Sequence, residues 1–553
     1  MIRKKGYRTI QWHRAIIAVV LCFFCFSIAY SVRPKRQRPR QTSANDEKVY
    51  LRNADYLSYD IYGDHAGAQF LRGKVSFSHK GMSLTCDSAY LYEEQNRFEA
   101  FGHVHIVQGD TLTLHSDKAY YDGNEEKAHA WNNVVLTHRK STLYCDTLDY
   151  DRMYGIADAY GSAGMKMVEG KDVLTADWGR YYSDDRHSEF YYNVVLTDDK
   201  GLRIDTDTLY YDNRTSLAHV LGKSVIHSGK SVVNTDDSYY NTSTKKSELM
   251  GRSTIFNDDR VITGDRLFQN ETTGECEGYG HVIYRDTKNK NIMMGETLRY
   301  NEKKGLGFAT DSAVVIDYSQ KDTLYMHSDT IRLKTYNMKT DSMCREVHAY
   351  HHVRAYRKDV QAVCDSLVMY SKDSLATLYR DPIIWANGSQ LLGEKINVFF
   401  NDSTIRYAEV ISQALSVEQM DDTIHYNQVA SRDMFAFFVD GKLRQNWAVG
   451  NVQVVFYPQD DKDSTIIGLD YMETDTMKMY VTPEKKLEKI WSNAATGTLY
   501  PMTQVPPDKP LLPTFGWFEY MRPVSKDDIF EWRPKKKGLE LKATKRRQAP
   551  KRE

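Results

Sequence analysis

Apolar and polar residues alternate along most of this chain, which is the pattern of half-buried β-strands rather than of helices. The pattern is clearest in short segments that begin with glycine, such as residues 73–77 (GKVSF), 102–106 (GHVHI) and 280–284 (GHVIY). The third and fifth residues of such a segment share one face, because successive side chains of a strand point to opposite sides. The pattern therefore predicts an inner face that includes Val75, Phe77, Val104, Ile106, Val134, Leu136, Val194, Leu196, Val282 and Tyr284.

A second kind of strand alternates with the first and contains a recurrent aspartate. In residues 113–136, Asp117 is followed by Ala119 and Tyr121 on the predicted inner face. Eight such aspartates lie 29 to 32 residues apart, namely Asp55, Asp87, Asp117, Asp146, Asp177, Asp207, Asp236 and Asp265. The series continues with looser spacing to about residue 480, and a period of 20–50 residues indicates a stacked architecture. We expect an elongated all-β fold in which each repeat of about 30 residues adds two or three antiparallel strands.

The inner face itself alternates between small and large residues. Examples are Val75 before Phe77, Ala163 before Met165, and Ser224 before Ile226. Two interpretations remain open: a fully packed core, or a groove in which the small residues leave room that an ordinary core would fill.

The chain divides into six parts by composition. Residues 1–30 have basic residues followed by an apolar run, which predicts a signal peptide or an uncleaved N-terminal anchor. Residues 31–48 are expected to be a basic disordered linker, 49–404 the repeat domain, and 405–500 looser terminal strands of the same kind. Residues 501–533 are rich in proline and aromatic residues, which favours a cap over the open sheet end or a partner-docking segment. Residues 534–553 are expected to be a basic disordered tail.

Charge and cysteine content exclude several classes of protein. Lys plus Arg and Asp plus Glu both number 74, so the overall charge favours neither a nucleic acid nor a membrane surface as partner. Seven cysteines are too few for a disulfide scaffold, and Cys86, Cys145 and Cys364 each precede a recurrent acidic position. Their shared position favours packing, although a disulfide bond remains open in an oxidising compartment.

No group of residues predicts catalysis. We expect the recurrent aspartate at a strand start, where a short polar side chain hydrogen-bonds its own turn. His103 and His105 are expected to point outward, without a third ligand for a metal. Two Gly-Lys-Ser segments lack the earlier glycine and the following helix of a phosphate-binding loop. We therefore predict no enzyme activity, no cofactor and no metal.

The repeated motifs resemble the OstA-like family, which includes periplasmic lipopolysaccharide-transport proteins. Residues 102–106 (GHVHI) followed by 114–121 (LHSDKAYY) give the clearest match, and the resemblance covers about residues 50–400. It implies an antiparallel β-jellyroll whose apolar groove shields lipid acyl chains, with the ten inner-face residues lining it. It also implies a periplasmic location next to the inner or outer membrane. The partners that it implies are lipopolysaccharide or a related glycolipid and other transport proteins docked through edge strands.

Other functions remain as alternatives. The chain is longer than a minimal bridge protein of the family that it resembles, and we expect no outer-membrane barrel to follow the repeats. A structural or adhesive surface repeat protein is the main alternative. An enzyme such as a β-helical polysaccharide lyase would need a local charged cluster that interrupts the repeat, and the units are uniform instead.

Overall fold

The computed structural model describes residues 47–59, 62–338, 340, 342–386, 388–401, 404–460, 465–483 and 487–541. The predicted signal or anchor and nearly all of the predicted linker lie outside these residues. The first strands are β1 (Tyr50–Asn53), β2 (Tyr56–Tyr59), β3 (Gln69–His79), β4 (Met82–Tyr92), β5 (Arg97–Gln108), β6 (Leu112–Asp122), β7 (Lys127–His138), β8 (Ser141–Asp151), β9 (Ile156–Glu169), β10 (Asp172–Tyr182) and β11 (His187–Thr197). The next are β12 (Leu202–Asp212), β13 (Leu217–Ser228), β14 (Ser231–Asn241), β15 (Lys246–Asn257), β16 (Arg260–Asn270), β17 (Glu275–Asp286), β18 (Asn291–Asn301), β19 (Leu306–Asp317), β20 (Leu324–Tyr336), β21 (Cys344–Arg357) and β22 (Val360–Tyr370). The last are β23 (Leu375–Tyr379), β24 (Ile383–Ala386), β25 (Ser389–Leu392), β26 (Lys395–Asn401), β27 (Thr404–Gln419), β28 (Tyr426–Val439), β29 (Lys442–Phe456), β30 (Gly468–Val481), β31 (Leu487–Asn493) and β32 (Thr496–Pro501).

These 32 strands form one antiparallel sheet, which confirms the all-β, repeat-built fold. From β3 to β22 each strand pairs with the next along the chain through a short hairpin. Four pairs of short strands each correspond to the two halves of one long strand, because both members of a pair lie along the same neighbouring strand. These pairs are β1/β2 beside β3, β23/β24 beside β22, β25/β26 beside β27, and β31/β32 beside β30. The repeat therefore continues through the described parts of residues 405–500, within the same sheet.

Each long strand bends at its middle. In β5 the residues Gly102 and His103 have φ angles of 73° and 44°, in the left-handed region. They lie opposite the single residue Asp117 of β6, since Phe101 pairs with Lys118 and Val104 with Ser116. Two residues opposite one make a β-bulge, which bends a strand and increases its twist. The same two-to-one arrangement recurs along the sheet, and we call this line of bends the corner.

The recurrent aspartate lies at the corner, so the expectation that it begins a strand was wrong. Asp87 is in the middle of β4, and its carboxylate is 2.7 Å from Nδ1 of His103. Asp117 accepts a hydrogen bond of 2.7 Å from the side chain of Asn133 in the same way. A Cβ added at Gly102 would overlap the carboxylate of Asp87, which explains why glycine occupies this position. The aspartate is thus a structural residue that ties adjacent bends together.

The bends fold the sheet into two layers. The first layer contains the half of β5 before its corner and the half of β6 after it, and the second layer contains the other halves. Phe98 of the first layer stacks on Phe77 of the second, with ring centroids 4.4 Å apart. Inward-facing residues of both layers form one apolar cluster that continues from β1 to β30.

A second apolar cluster lies on the outer face of the second layer, from β22 to β30. Val363, Trp385 and Val417 belong to it and are at most 2% exposed, although they point away from the interior. Residues 505–541, the C-terminal segment, cover this face through Leu512, Phe518 and Met521. The segment that the sequence favours as a cap or docking element is therefore placed against the face of the sheet.

Candidate functional site: the interior between the two layers

All ten residues predicted for the inner face point into the space between the layers. They are between 0% and 7% exposed, with Tyr284 the most exposed of them. Two regions of the sheet supply them, the strands β3 to β11 and strand β17. The alternation of the sequence thus identifies the correct face, whereas contact of these residues with a lipid stays a prediction.

The interior is packed, and the small residues do not leave a groove. They flank the corner, where the two layers converge: a Cβ added at Gly278 in the first layer would lie 2.8 Å from Cγ1 of Val282 in the second. Larger side chains such as Phe77 and Phe98 lie farther from the corner, where the layers are wider apart. The small-then-large pattern therefore follows the taper of the space between the layers.

Polar side chains close the edge opposite the corner, which we call the mouth. At β3 and β6, Nδ1 of His79 is 2.7 Å from the hydroxyl of Tyr121 in the other layer. Nζ of Lys80 is 2.7 Å from the carboxylate of Glu126, which also pairs with Arg152 at 3.0 Å. His79 and Lys80 lie at the end of the second layer, whereas Tyr121, Glu126 and Arg152 lie at the end of the first. The contacts of His79 and Lys80 therefore hold the layers together over the apolar interior.

The same closure recurs farther along the mouth. Nδ1 of His138 is 2.8 Å from the hydroxyl of Tyr181, and Arg186 pairs with Glu169. The next closure joins Asp172 to the hydroxyls of Tyr211 and Thr242 at 2.6 and 2.8 Å. These polar contacts at the mouth were not predicted from the sequence. The signal in the sequence is a polar residue at an inward position, where the apolar alternation of a strand ends next to a turn.

The closing residues have shifted pKa values. Burial lowers the pKa of His79, and the nearby charges of Arg152 and Lys80 lower it further. The pKa of His138 is lowered by burial and by Arg139 and Arg186. Burial by itself would raise the pKa of Glu126, but the hydrogen bond from Lys80 and the charge of Arg152 outweigh it, so the pKa is lowered.

We expect the mouth to weaken as the pH falls from about 7.5 to 5.5. An open mouth returns each histidine to water, where its pKa is about 6.5, so the open state binds more protons than the closed state below that pH. Stability is then lost as the pH falls from about 6.5 toward the lowered pKa values. The measurement is hydrogen exchange of backbone amides in the turns beside His79 and His138 at both pH values, corrected for intrinsic exchange rates.

The double variant His79→Gln, His138→Gln should lose most of this pH dependence. His103→Gln is the matched control, because the exposed His103 has its pKa raised by Asp87 and so does not favour opening in acid. Equal pH dependence in the wild type and the double variant would contradict the expectation.

Strand β9 departs from the regular corner. Its residues 161–164 lie between Tyr160, which pairs with Thr147, and Met165, which pairs with Cys145. Four residues therefore lie opposite the single Asp146, whereas every odd-numbered strand from β3 to β7 and from β11 to β21 has two. The expectation that Ala163 faces inward beside Met165 was wrong, because Ala163 lies exposed in this wider corner.

A depression of about 580 Å³ lies at the wide corner. The inward-facing residues Val134, Met165 and Ala176 form its floor, and Asp146, Asp177 and Lys166 are among its polar lining residues. A second cavity, of about 180 Å³, lies at the mouth between β13 and β18 and has charged lining residues such as Arg260 and Glu302.

Reactive groups are scattered or buried. Within the described ranges, no three His, Cys, Asp or Glu side chains come together in a way that could hold a metal ion. His105 stacks on His115 on the outer face, with centroids 4.1 Å apart. Cys86 and Cys145 are free thiols, and burial raises the pKa of each to about 12, which disfavours the nucleophilic thiolate. Over the same described residues, no helix has the length and apolar character to cross a membrane.

Comparison with known proteins finds a family match for the first strands of the sheet. A family model described as OstA-like protein matches residues 46–207. This region contains β1 to β11 and the first half of β12, so the resemblance inferred from the sequence is confirmed there. The same bent strands and corner aspartates continue beyond it. A comparison with curated proteins gives no match.

Proposed function

We propose that this protein is a non-enzymatic carrier that shields the acyl chains of lipopolysaccharide, or of a related glycolipid, in the periplasm during outer-membrane assembly. The observation that carries the proposal is the single apolar interior between two layers, which runs through strands that begin with the OstA-like region. Burial of alkyl groups is favourable by about 0.8 kcal/mol per CH₂, so a bound chain would stay inside until a partner displaced it.

Carriage requires the two layers to separate, because the inner face is packed in the structure. Phe77 and Phe98 fill the wider part of the interior and would have to move apart to admit a chain. The polar closures at the mouth would limit this separation to the strands that hold the lipid. The protein would therefore load by local opening rather than by filling a permanent groove.

The ends of the sheet support docking to other proteins of the same transport system. In the described part of the chain, β1/β2 and β31/β32 pair on one side only. They carry exposed apolar side chains, including Tyr56 at 57%, Leu57 at 53%, Ile490 at 46% and Trp491 at 45%. Edge strands with unpaired backbone groups are templates for strand addition by another chain.

Photo-crosslinking in living cells tests the proposal. A photoreactive residue at Ile106 or Leu136 should form adducts with lipopolysaccharide, because both side chains are inward and at most 3% exposed. The matched controls are the outward-facing His105 and Val135 of the same strands, which should give little or no adduct. The absence of adducts at Ile106 and Leu136, or equal labelling at all four positions, would contradict the proposal.

A second experiment separates transport from an adhesive function. Depletion of a carrier should reduce the lipopolysaccharide that reaches the cell surface, and fractionation should find the protein in the periplasm. An adhesive repeat protein would instead lie at the cell surface, and its depletion would leave lipopolysaccharide transport unchanged.

A further inference from the structure

The proposed carrier function does not account for the wide corner of β9, formed by residues 161–164. Residues 161–164 (GSAG) make a four-residue bend. Gly164 allows the chain to pass close to the neighbouring strand, since a Cβ there would lie 2.6 Å from the carbonyl oxygen of Ala176. Its φ of 73° also favours glycine. The bend is thus a defined structure with its own sequence requirement.

The depression at this corner is lined by side chains of both faces of the sheet. Tyr144 and Lys166 of its lining point outward from the second layer, whereas Val134 and Met165 point inward. The depression is open to solvent and has a volume of about 580 Å³, and its apolar floor is part of the same cluster that fills the interior.

The mouth on either side of β9 is closed by ionic groups. Lys80 and Glu126 join the two layers on one side, and Glu169 and Arg186 join them on the other. An alkyl chain that entered through the mouth would separate these partly buried pairs and leave charges without partners. A chain that entered at the wide corner would leave them in place.

We propose that the wide corner of β9 is the place where an alkyl chain of a lipid enters the interior. The proposal rests on the carrier function above and adds to it the position of entry. The chain passes Ala163, contacts the floor formed by Val134, Met165 and Ala176, and continues between the layers. The polar head group stays outside, where Asp146, Asp177 and Lys166 line the opening.

The test measures loading of the full-length protein with tetradecanoic acid that carries a diazirine at the end of its alkyl chain. Photolysis at successive times, followed by mass spectrometry, locates the adducts. In the wild type the first adducts should lie at or beside Val134 and Met165. Ala163→Trp should slow their appearance by about tenfold, which corresponds to about 1.4 kcal/mol in the entry barrier.

Two further variants make the result specific. Lys223→Trp places the same bulky residue at the regular corner of β13, where Lys223 is exposed, and should load at the wild-type rate. Deletion of Ser162 and Ala163 restores a two-residue corner and should slow loading as Ala163→Trp does.

The possible failures are distinguishable. Equal loading rates in the wild type, Ala163→Trp and the deletion variant, with adducts inside all three, would overturn the entry site and leave the carrier function standing. First adducts beside β1 or β31 would also overturn it in favour of entry at a sheet end. Absence of interior adducts in every protein would overturn the carrier function together with the entry site.

Discussion

Arg354→Ala is expected to release the C-terminal segment from the sheet. The side chain of Arg354 is fully buried on the outer face of the second layer. Its guanidinium donates hydrogen bonds of 2.8 Å to the carbonyl oxygen of Met521 and 3.2 Å to that of Asp528, and it lies 3.4 Å from the carboxylate of Asp528. Removal of one partner of a buried charged pair usually destabilises a protein by about 3–5 kcal/mol.

The appropriate measurement is native-state hydrogen exchange of residues 505–541. A stacked sheet opens in parts, so a single unfolding transition would hide a local effect. Amides that depend on attachment report it directly: the amide of Phe518 bonds Gln390 at 2.7 Å, and that of Leu512 bonds Gln428 at 2.8 Å. Exchange of both should accelerate in Arg354→Ala.

Arg432→Ala is the matched control. Arg432 pairs with Asp433 at 2.8 Å, but its side chain is 65% exposed. Surface pairs contribute about 0–1 kcal/mol, so exchange of the C-terminal segment should stay near the wild-type rate. Unchanged protection of Phe518 and Leu512 in Arg354→Ala would show that the apolar contacts and the remaining hydrogen bonds hold the segment without Arg354.

The sequence of the C-terminal segment does not predict which surface it covers. The aromatic residues of 501–533 favour a cap or a docking element, but their composition carries no information about the surface that they cover. That information lies in β22 to β25, where apolar residues follow one another, as in Ile383, Ile384 and Trp385. Continuous apolar runs are typical of strands buried on both faces. The alternation that identifies one inner face elsewhere fails here because there are two cores.

At the corner, too, the sequence pattern predicts some features of the structure and misses others. The spacing of the aspartates identifies the repeat, and the alternation identifies the inward side chains of β3 to β11. Neither pattern shows that Asp87 and Asp117 lie at a bend, because the bend depends on left-handed residues in the neighbouring strand. The corner of β9 has two residues more than the regular corners, and an insertion of two residues leaves the alternation of side chains unchanged. Ala163 therefore looks like an inward residue in the sequence, whereas Met165 and Met167 occupy the inward positions in the structure.

Phe98→Ala is expected to destabilise the first strands and, at the same time, to improve their response to an apolar ligand. Phe98 is fully buried, stacks on Phe77 at 4.4 Å and lies 5.4 Å from the ring of Tyr121. Truncation of a buried phenylalanine usually costs about 3–5 kcal/mol, because it removes contacts and leaves a cavity. Phe101→Ala is the matched control: Phe101 is on the same strand but faces outward, where it forms one edge-to-face contact with Tyr90. Loss of such an aromatic pair accounts for only about 0.5–1.5 kcal/mol.

The ligand response shows whether an alkyl chain reaches the interior of the first strands. A cavity lined by apolar side chains stays dry and binds apolar molecules. A ligand at 100 times its dissociation constant stabilises the state that binds it by about 2.7 kcal/mol. Dodecanoic acid should slow hydrogen exchange in β3 to β8 of Phe98→Ala far more than in Phe101→Ala, because the cavity admits the alkyl chain with less displacement of packed side chains. Equal effects on the two variants would contradict the prediction that the space vacated by Phe98 takes up the alkyl chain.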